Sequence, residues 1–354
     1  MTVVLHPGEG PVRAAVYLPA TPQTVRWGRL PCAADAAVLE VSPGTEVTVD
    51  TVSHEGLLPD QGGDPVRFFG AHGVPPEHVL RDAVELAATL RHDPADGPHL
   101  VTGPIRVTGA QPGDVLSVTV VEALPRVPYG VVSNRHGRGA LPGELPRTPA
   151  TVSVFTPVHD GVGSLPLVDG GPRVVRFPAA PFPGIVGVAT RGPVPSHSVP
   201  PGPHGGNVDV ALLRPGATIH LPVQVPGALV YVGDPHLAQG DGEVALTALE
   251  ASLRLTLRLD VIAAADAAAR FGRLTAPLVE TPDLLVPLGL DPDLGEAMRA
   301  CVRNALTLLQ VRFGMAEHLA YAYLSAAADF AVTQVVDQVV GVHARIRRAD
   351  FPAP

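Results

Sequence analysis

Leu253-Arg254-Leu255-Thr256-Leu257-Arg258-Leu259-Asp260-Val261 alternates apolar and polar residues at every step. A period of two sends the five apolar side chains to one face and Arg254, Thr256, Arg258 and Asp260 to the other. The stretch therefore predicts an antiparallel strand with one buried and one wet side. Three further alternating runs, Glu46-Val-Thr-Val-Asp50, Val115-Leu-Ser-Val-Thr-Val120 and Thr218-Ile-His-Leu221, each follow a Pro-Gly pair: Pro43-Gly44, Pro112-Gly113 and Pro215-Gly216. Proline presets φ at the second position of a type II turn and glycine supplies the positive φ at the third, so each pair launches a strand.

Forty prolines and 37 glycines among 354 residues favour many short strands separated by sharp turns over long helices. The first three quarters of the chain read as mostly β. Helical spacing shows at Val79, Ala83, Leu86, Ala87 and Leu90, opened by Pro75-Pro76. A longer helix is expected after Asp291, read as its N-cap with Pro292 at N1, placing Leu294, Met298, Cys301, Ala305 and Leu308 on one face until Gly314. A second helix is expected over Glu317 to Phe330, and Val332 to Ile346 reads as a final strand. The expected class is α+β, β-dominated: an antiparallel β-sandwich or barrel-like sheets with a C-terminal helical hairpin within the segment 291–330. The length allows one large domain or two smaller ones. With no convincing linker, residues 1–354 are expected to form a single domain.

The formal net charge of −9 and the lack of any Lys/Arg run argue against nucleic acid and against an anionic membrane surface as partners. Cys32 and Cys301 offer neither a disulfide framework nor a CxxC pair. The N-terminus lacks a signal-like core and no window holds about 18 consecutive apolar residues, so a cytoplasmic protein is expected. Fourteen histidines are a generous supply of neutral nitrogen ligands.

The densest polar cluster is Gly233-Asp234-Pro235-His236-Leu237-Ala238-Gln239-Gly240-Asp241-Gly242-Glu243, directly after the apolar run Ala228–Val232. Asp and neutral His suit a divalent cation, and a neighbouring Glu outside the ligand set would shuttle protons. An alternative is a glycine-rich Asx turn whose carboxylates accept only backbone N–H groups. The second cluster, Pro200-Pro-Gly-Pro-His204-Gly-Gly-Asn207-Val-Asp209, pairs a Gly-Gly step with His204, Asn207 and Asp209. It reads either as a substrate-contacting loop or as a rigid turn capped by Asn. Cys301, on an apolar helix face, reads as a buried structural thiol. Ser196-His197-Ser198 and Ser133-Asn-Arg-His136 lack a nucleophile elbow, and Gly137-Arg-Gly139-Ala opens no phosphate-binding helix.

In order and spacing, Pro200–Val210, Leu221-Pro-Val-Gln-Val-Pro-Gly-Ala-Leu229 and Val232-Gly-Asp-Pro-His-Leu-Ala-Gln-Gly-Asp-Gly-Glu-Val244 resemble the acetamidase/formamidase family. Pro98-His99-Leu-Val-Thr-Gly-Pro upstream and Ala320-Tyr-Ala-Tyr-Leu-Ser-Ala-Ala-Ala-Asp329 downstream resemble it too. The resemblance covers roughly residues 98–346 and is strongest over 200–250. It implies a β-rich fold, hydrolysis of a short amide, a bound divalent metal with zinc foremost, and a homo-oligomer, dimer or higher. Under it, His99, Asp234 and His236 become metal ligands, Glu243 and Asp241 catalytic groups, and His204, Asn207, Asp209 and Gln239 contacts to a small-molecule amide. Pro235 departs from the family's Gly, and residues 1–95 match poorly, with the His-rich segment Phe68–His78 looking like an elaboration. That departure keeps two rivals open: hydrolysis of a larger amide, a cyclic imide or another C–N bond, and a non-catalytic metal-binding protein.

Overall fold

The strand that opens the reading runs Leu253–Ile262 in the computed structural model of the chain, which describes residues 4–352. It lies third from one edge of a nine-stranded sheet, antiparallel to Thr45–Asp50 on one side and to Val115–Pro125 on the other. All three Pro-Gly turns form as expected, with φ of +85°, +103° and +92° at Gly44, Gly113 and Gly216. Each leads into a strand of this sheet: Thr45–Asp50, Val115–Pro125 and Thr218–Pro222.

The expected wet face of Leu253–Ile262 holds only at its C-terminal half, where Arg258 is exposed. Arg254 and Thr256 are fully buried. The N-terminal segment of the chain lies over that face, and Arg254 donates to the carbonyls of His6, Glu9 and Pro11 at 3.0, 2.6 and 3.1 Å. A polar residue on an alternating strand is thus buried by chain from far away in sequence.

A second sheet of eleven strands has Val230–Ala238 near its centre, flanked by Phe182–Val188 on one side and by Leu100–Val107 and Leu249–Glu250 on the other. The two sheets share one core, with Val47, Val49, Val118 and Leu255 from the first and Ile105, Val186, Val230 and Val232 from the second. The result is a β-dominated α+β sandwich, mostly antiparallel. Two pairings are parallel: Val16–Leu18 with Thr45–Asp50, and Leu39–Val41 with Leu100–Val107.

The C-terminal hairpin comprises helices Leu294–Phe313 and Glu317–Ala327. A second apolar cluster joins Ala297, Cys301, Ala305 and Leu308 to Leu285, Val342 and Ile346 of the nine-stranded sheet. The N-cap is Asp293 rather than Asp291: Asp293 Oδ1 accepts from the Glu296 N–H at 2.9 Å, while Asp291 closes an Asx turn one step earlier. Cys301 is buried and its Sγ–H donates to the Pro287 carbonyl, in keeping with a structural thiol. The single expected final strand is two, Asp329–Gln334 and Val340–Arg347, separated by a loop that matters below. The helical spacing after Pro75 resolves into a 3-10 turn, Pro76–His78, and a helix, Arg81–Thr89.

Four charged side chains clamp these parts together without solvent access. Arg254 grips Asp50 in a two-pronged contact of 2.7 and 3.0 Å, and Tyr17 O–H donates to Asp50 at 2.6 Å. Arg126 lies 3.5 Å from Asp50, donates to Asp82 of the helix Arg81–Thr89 at 2.7 Å, and also donates to the carbonyls of Leu5 and Thr51. Removing one partner would leave an uncompensated buried charge, a cost of about 3–5 kcal/mol. Arg254→Met is therefore expected to lower the unfolding free energy by that amount, seen as a lower denaturant midpoint, and a midpoint unchanged from the parent would show that the clamp is dispensable.

Candidate active site

Asp234 and His236 lie inside the strand Val230–Ala238 rather than in a loop after it, and their separation of two aims both side chains at the same face. The register pairs Pro183 with Pro235 and Ile185 with Gly233, which sets Gly184 across from Asp234. On the other side Glu250 pairs directly with His236. His99 precedes the strand Leu100–Val107, Asn207 ends Gly205–Asn207, and His54 follows Thr45–Asp50 of the other sheet. Glu243 sits in a loop held to the strand Asp329–Gln334 and the residues just after it, because Gly242 N–H donates to Thr333 O and Val335 N–H donates to Gly242 O. The chain beyond that contact carries Asp337.

Asp234 joins two nests of donors. Its Oδ1 is 3.7 Å from His54 Nδ1 and 3.8 Å from His99 Nε2, and its Oδ2 is 3.0 Å from His236 Nε2. His236 Nε2 is also 3.0 Å from Glu250 Oε1 and 4.0 Å from Glu243 Oε1. Three sets, His54/His99/Asp234, Asp209/His236/Glu243 and Asp234/His236/Glu250, each bring their ligand atoms within 4.8 Å of one another, all buried. His236 Nε2, Asp234 Oδ1, Glu243 Oε2, Glu250 Oε2 and both oxygens of Asp209 are buried without a well-directed hydrogen bond. Buried polar atoms are normally satisfied, so this concentration of orphans marks a place built for something else.

The tautomer of His236 follows from its neighbour. Gln239 Nε2 donates to the Asp209 carbonyl at 2.7 Å, which turns Gln239 Oε1 toward His236 Nδ1 at 3.0 Å. A carbonyl oxygen only accepts, so Nδ1 carries a proton, and Nε2 is the nitrogen whose lone pair would become available to a cation on loss of its own proton. Gln239, expected to touch substrate, is thereby occupied in orienting a ligand. Ser198 Oγ stands 3.0 Å from His99 Nδ1 and leaves His99 Nε2 toward Asp234.

Charge is crowded to match. Burial pushes the carboxyls of Asp209, Glu243 and Glu250 above their ordinary range, with neighbouring carboxylates adding to the shift, and Asp337 rises to about 7 mainly through burial. Burial also opposes ionisation of Asp234, yet the histidines at 99, 236 and 54 hold it well below its usual value. His99 falls to about 4 through burial. His236 is raised well above its usual value by Glu250 and Asp234 despite burial. The protons retained by this set are what a divalent cation would displace, and mixed imidazole and carboxylate donors suit such a cation. The residues fit a metal.

Five of the eight non-glycine residues with positive φ among the described residues gather here: Asp209, Asp234, Glu243, Leu246 and Gln338. Such strain persists only where surrounding structure over-determines it. Above the cluster opens a cavity of about 510 Å³ walled by Leu58, Pro94, Pro98, Val199, Leu246 and Val336, with Arg135, Arg138, His92 and His197 among the polar groups.

The sequence profile of the Acetamidase/Formamidase family matches residues 192–345. Two curated relatives, the formamidase of Methylophilus methylotrophus and the acetamidase of Mycolicibacterium smegmatis, are each 27% identical, over 46% and 41% of this chain and 52% and 49% of their own. Residues 192–345 are therefore similar to the acetamidase/formamidase family. The chain spans about half the length of the curated relatives it matches. Its fold is also that of a solved acetamidase from Bacillus halodurans, with a TM-score of 0.74 over 95% of this chain and 98% of the other at 23% identity.

Of the site residues read from the sequence, the family-like segment brings Asn207, Asp209, Asp234, His236, Gln239 and Glu243 together, and His99 joins them from upstream. Two do not join. Gly242, with φ of +99°, reverses the chain between its neighbours, so Asp241 turns outward to an ion pair with Arg345 while Glu243 turns inward. His204 is buried with its ring beside Gly202 and Gly206, apart from the cavity walls. Four residues were missed: His54, Glu250, Asp337 and Gly184. The sequence held a trace of the first, since Ser53-His54-Glu55-Gly56 follows an alternating strand as the Asp234 cluster follows its apolar run. The Phe68–His78 segment does not line the cavity.

Gly184 makes a sharp test. A Cβ there would lie 2.6 Å from Asp209 Oδ1, 2.6 Å from Asp234 Oδ2 and 2.7 Å from His236 Cε1, yet its backbone is outside the left-handed region. Gly184→Ala is expected to fold and to lose bound divalent metal, seen as a fall in metal content by elemental analysis with an unchanged circular dichroism spectrum. Full metal occupancy would disprove the ligand assignment. Gln239→Leu frees His236 to rotate and is expected to weaken metal affinity roughly 10–100-fold, measured by competition with a chromogenic chelator.

Proposed function

We propose that the chain hydrolyses a carboxylic amide to the carboxylate and ammonia at this centre. The supporting observation is the convergence of unpartnered buried donors at the floor of a cavity, in a chain whose residues 192–345 match the Acetamidase/Formamidase family profile. His99, Asp234 and His236 would hold a divalent cation, zinc foremost, with His54 completing the nitrogen donors. Bound there, the cation supplies a polarised carbonyl and a water of lowered pKa.

An amide is a weak electrophile with a poor leaving group, so protons must be moved in both directions. Glu243 lines the cavity beside the donor set, with one oxygen 4.0 Å from His236 Nε2 and the other unpartnered. It takes the proton of the attacking water and delivers it to the departing nitrogen. Asn207 also faces the cavity with its Oδ1 free, and accepts from the substrate's amide N–H. Gln239 fixes the tautomer of His236, and Ser198 engages Nδ1 of His99 so that both rings turn Nε2 toward Asp234.

Ammonia release from formamide, acetamide and longer amides, before and after chelation, tests the proposal. Chelator-sensitive release is expected, and metal-replete protein inactive on every amide would favour the non-catalytic metal-binding reading. Glu243→Gln should lower kcat by at least about a hundredfold while metal stays bound. Retained turnover would remove Glu243 from its role.

A further inference from the structure

The cavity is far larger than the smallest amides require. The cavity volume is about 510 Å³, whereas acetamide has only four non-hydrogen atoms. Most of the wall would then touch nothing in the substrate. A volume in this range matches sites that enclose a larger organic molecule.

The charges on the wall are unevenly matched. Asp96 is paired with Arg29 at 2.5 Å, and Asp60 accepts from Arg135 at 2.6 Å and from Thr151 at 2.7 Å. Arg135 is further spent on Glu55, 3.5 Å away. Arg138 has no carboxylate within ion-pair distance among the described residues, although it lines the same cavity. It is the one cation of the wall left over.

The Arg138 side chain is exposed, but the backbone that carries it is held. Gly137 and Gly139 on either side both have φ of +81°, so the backbone turns sharply around it. Arg138 N–H donates to Arg135 O, Ala140 N–H donates to Val244 O at 2.9 Å, and Asn134 Nδ2 donates to Ala245 O at 2.7 Å. The turn is thus fastened to the loop that carries Glu243. Across the opening, burial together with the charges of Arg29 and Arg138 keeps His197 below its ordinary pKa, as a neutral ring.

The floor, in contrast, is rich in carboxylates: Asp209, Asp234, Glu243, Glu250 and Asp337. With a cation held at the floor to take the amide carbonyl, the positive charge left over for an anionic far end of the substrate is that of Arg138. We infer that the cavity takes an amide whose far end carries a carboxylate, with the neutral amide group against the floor and the carboxylate held by Arg138. This rests on the amidase reading above and names its substrate class. In the reaction, water oxygen bonds to the carbonyl carbon, the C–N bond breaks, and nitrogen leaves with its electron pair and the proton from water. An ω-amido acid thereby becomes a dicarboxylate and ammonium.

The test compares kcat/KM of metal-loaded protein on acetamide, on pentanamide and on glutaramate, which is similar in length to pentanamide but carries the carboxylate. Glutaramate should exceed pentanamide by on the order of tenfold or more, the worth of one charge-assisted hydrogen bond. In Arg138→Gln that ratio should collapse toward one through KM, and in Arg138→Glu it should fall below one while 5-aminopentanamide becomes the preferred substrate. Equal rates on glutaramate and pentanamide in the parent would overturn the inference and leave the amidase reading standing. A parent preference that survives in Arg138→Gln would overturn the role of Arg138. No hydrolysis of any amide would overturn both readings together.

Discussion

Asp50 accepts two hydrogen bonds from Arg254 and one from Tyr17, with Arg126 close by, in a region closed to water. A buried carboxylate survives only with such partners. Its position explains why so much depends on it. Asp50 ends the strand Thr45–Asp50, and the next four residues lead to His54 beside Asp234. The same guanidinium groups collect carbonyls of the N-terminal segment and the helix carrying Asp82. Fixing Asp50 therefore seats the N-terminal third on the first sheet and aims one imidazole into a centre built mostly on the second.

That centre obeys the opposite rule. Where the Asp50 clamp sets each buried charge against an opposite one, the Asp234 cluster gathers carboxylates that oppose one another and leaves several of their oxygens unpartnered. The two arrangements lie at either end of a single short loop. One is a structural network of paired charges; the other gathers donors that could hold a divalent cation.

Local chemistry was legible where it depended on neighbours in sequence. Pro-Gly turns, the alternation of Leu253–Val261 and the Gly314 stop of the long helix all follow from φ preferences and side-chain period, and all form. Asp234, His236 and Glu243 could be read because ten residues hold them and glycines let them converge. What could not be read depends on distant chain. Arg254 looked solvent-facing because nothing in its own strand reveals the segment that covers it. Glu250 and Gly184 reach the site only through cross-strand register, which spacing does not encode. Asp241 and Glu243 look equivalent on paper, and a single reversed glycine sends them to opposite sides. His54 lay in the third of the chain that resembled the family least.

The fastening of Ala140 and Asn134 to Val244 and Ala245 has a consequence for how such a site changes over time. Two hydrogen bonds tie the loop at the mouth to the loop bearing Glu243. Lengthening or reshaping the outer loop would carry the inner carboxylate with it, so most backbone innovations at the mouth would damage the reactive end. Exchanging a side chain on the turn leaves that coupling untouched. Diversification at this entrance is therefore channelled into substitutions at fixed positions rather than insertions, and a library aimed at new selectivity should hold loop length constant.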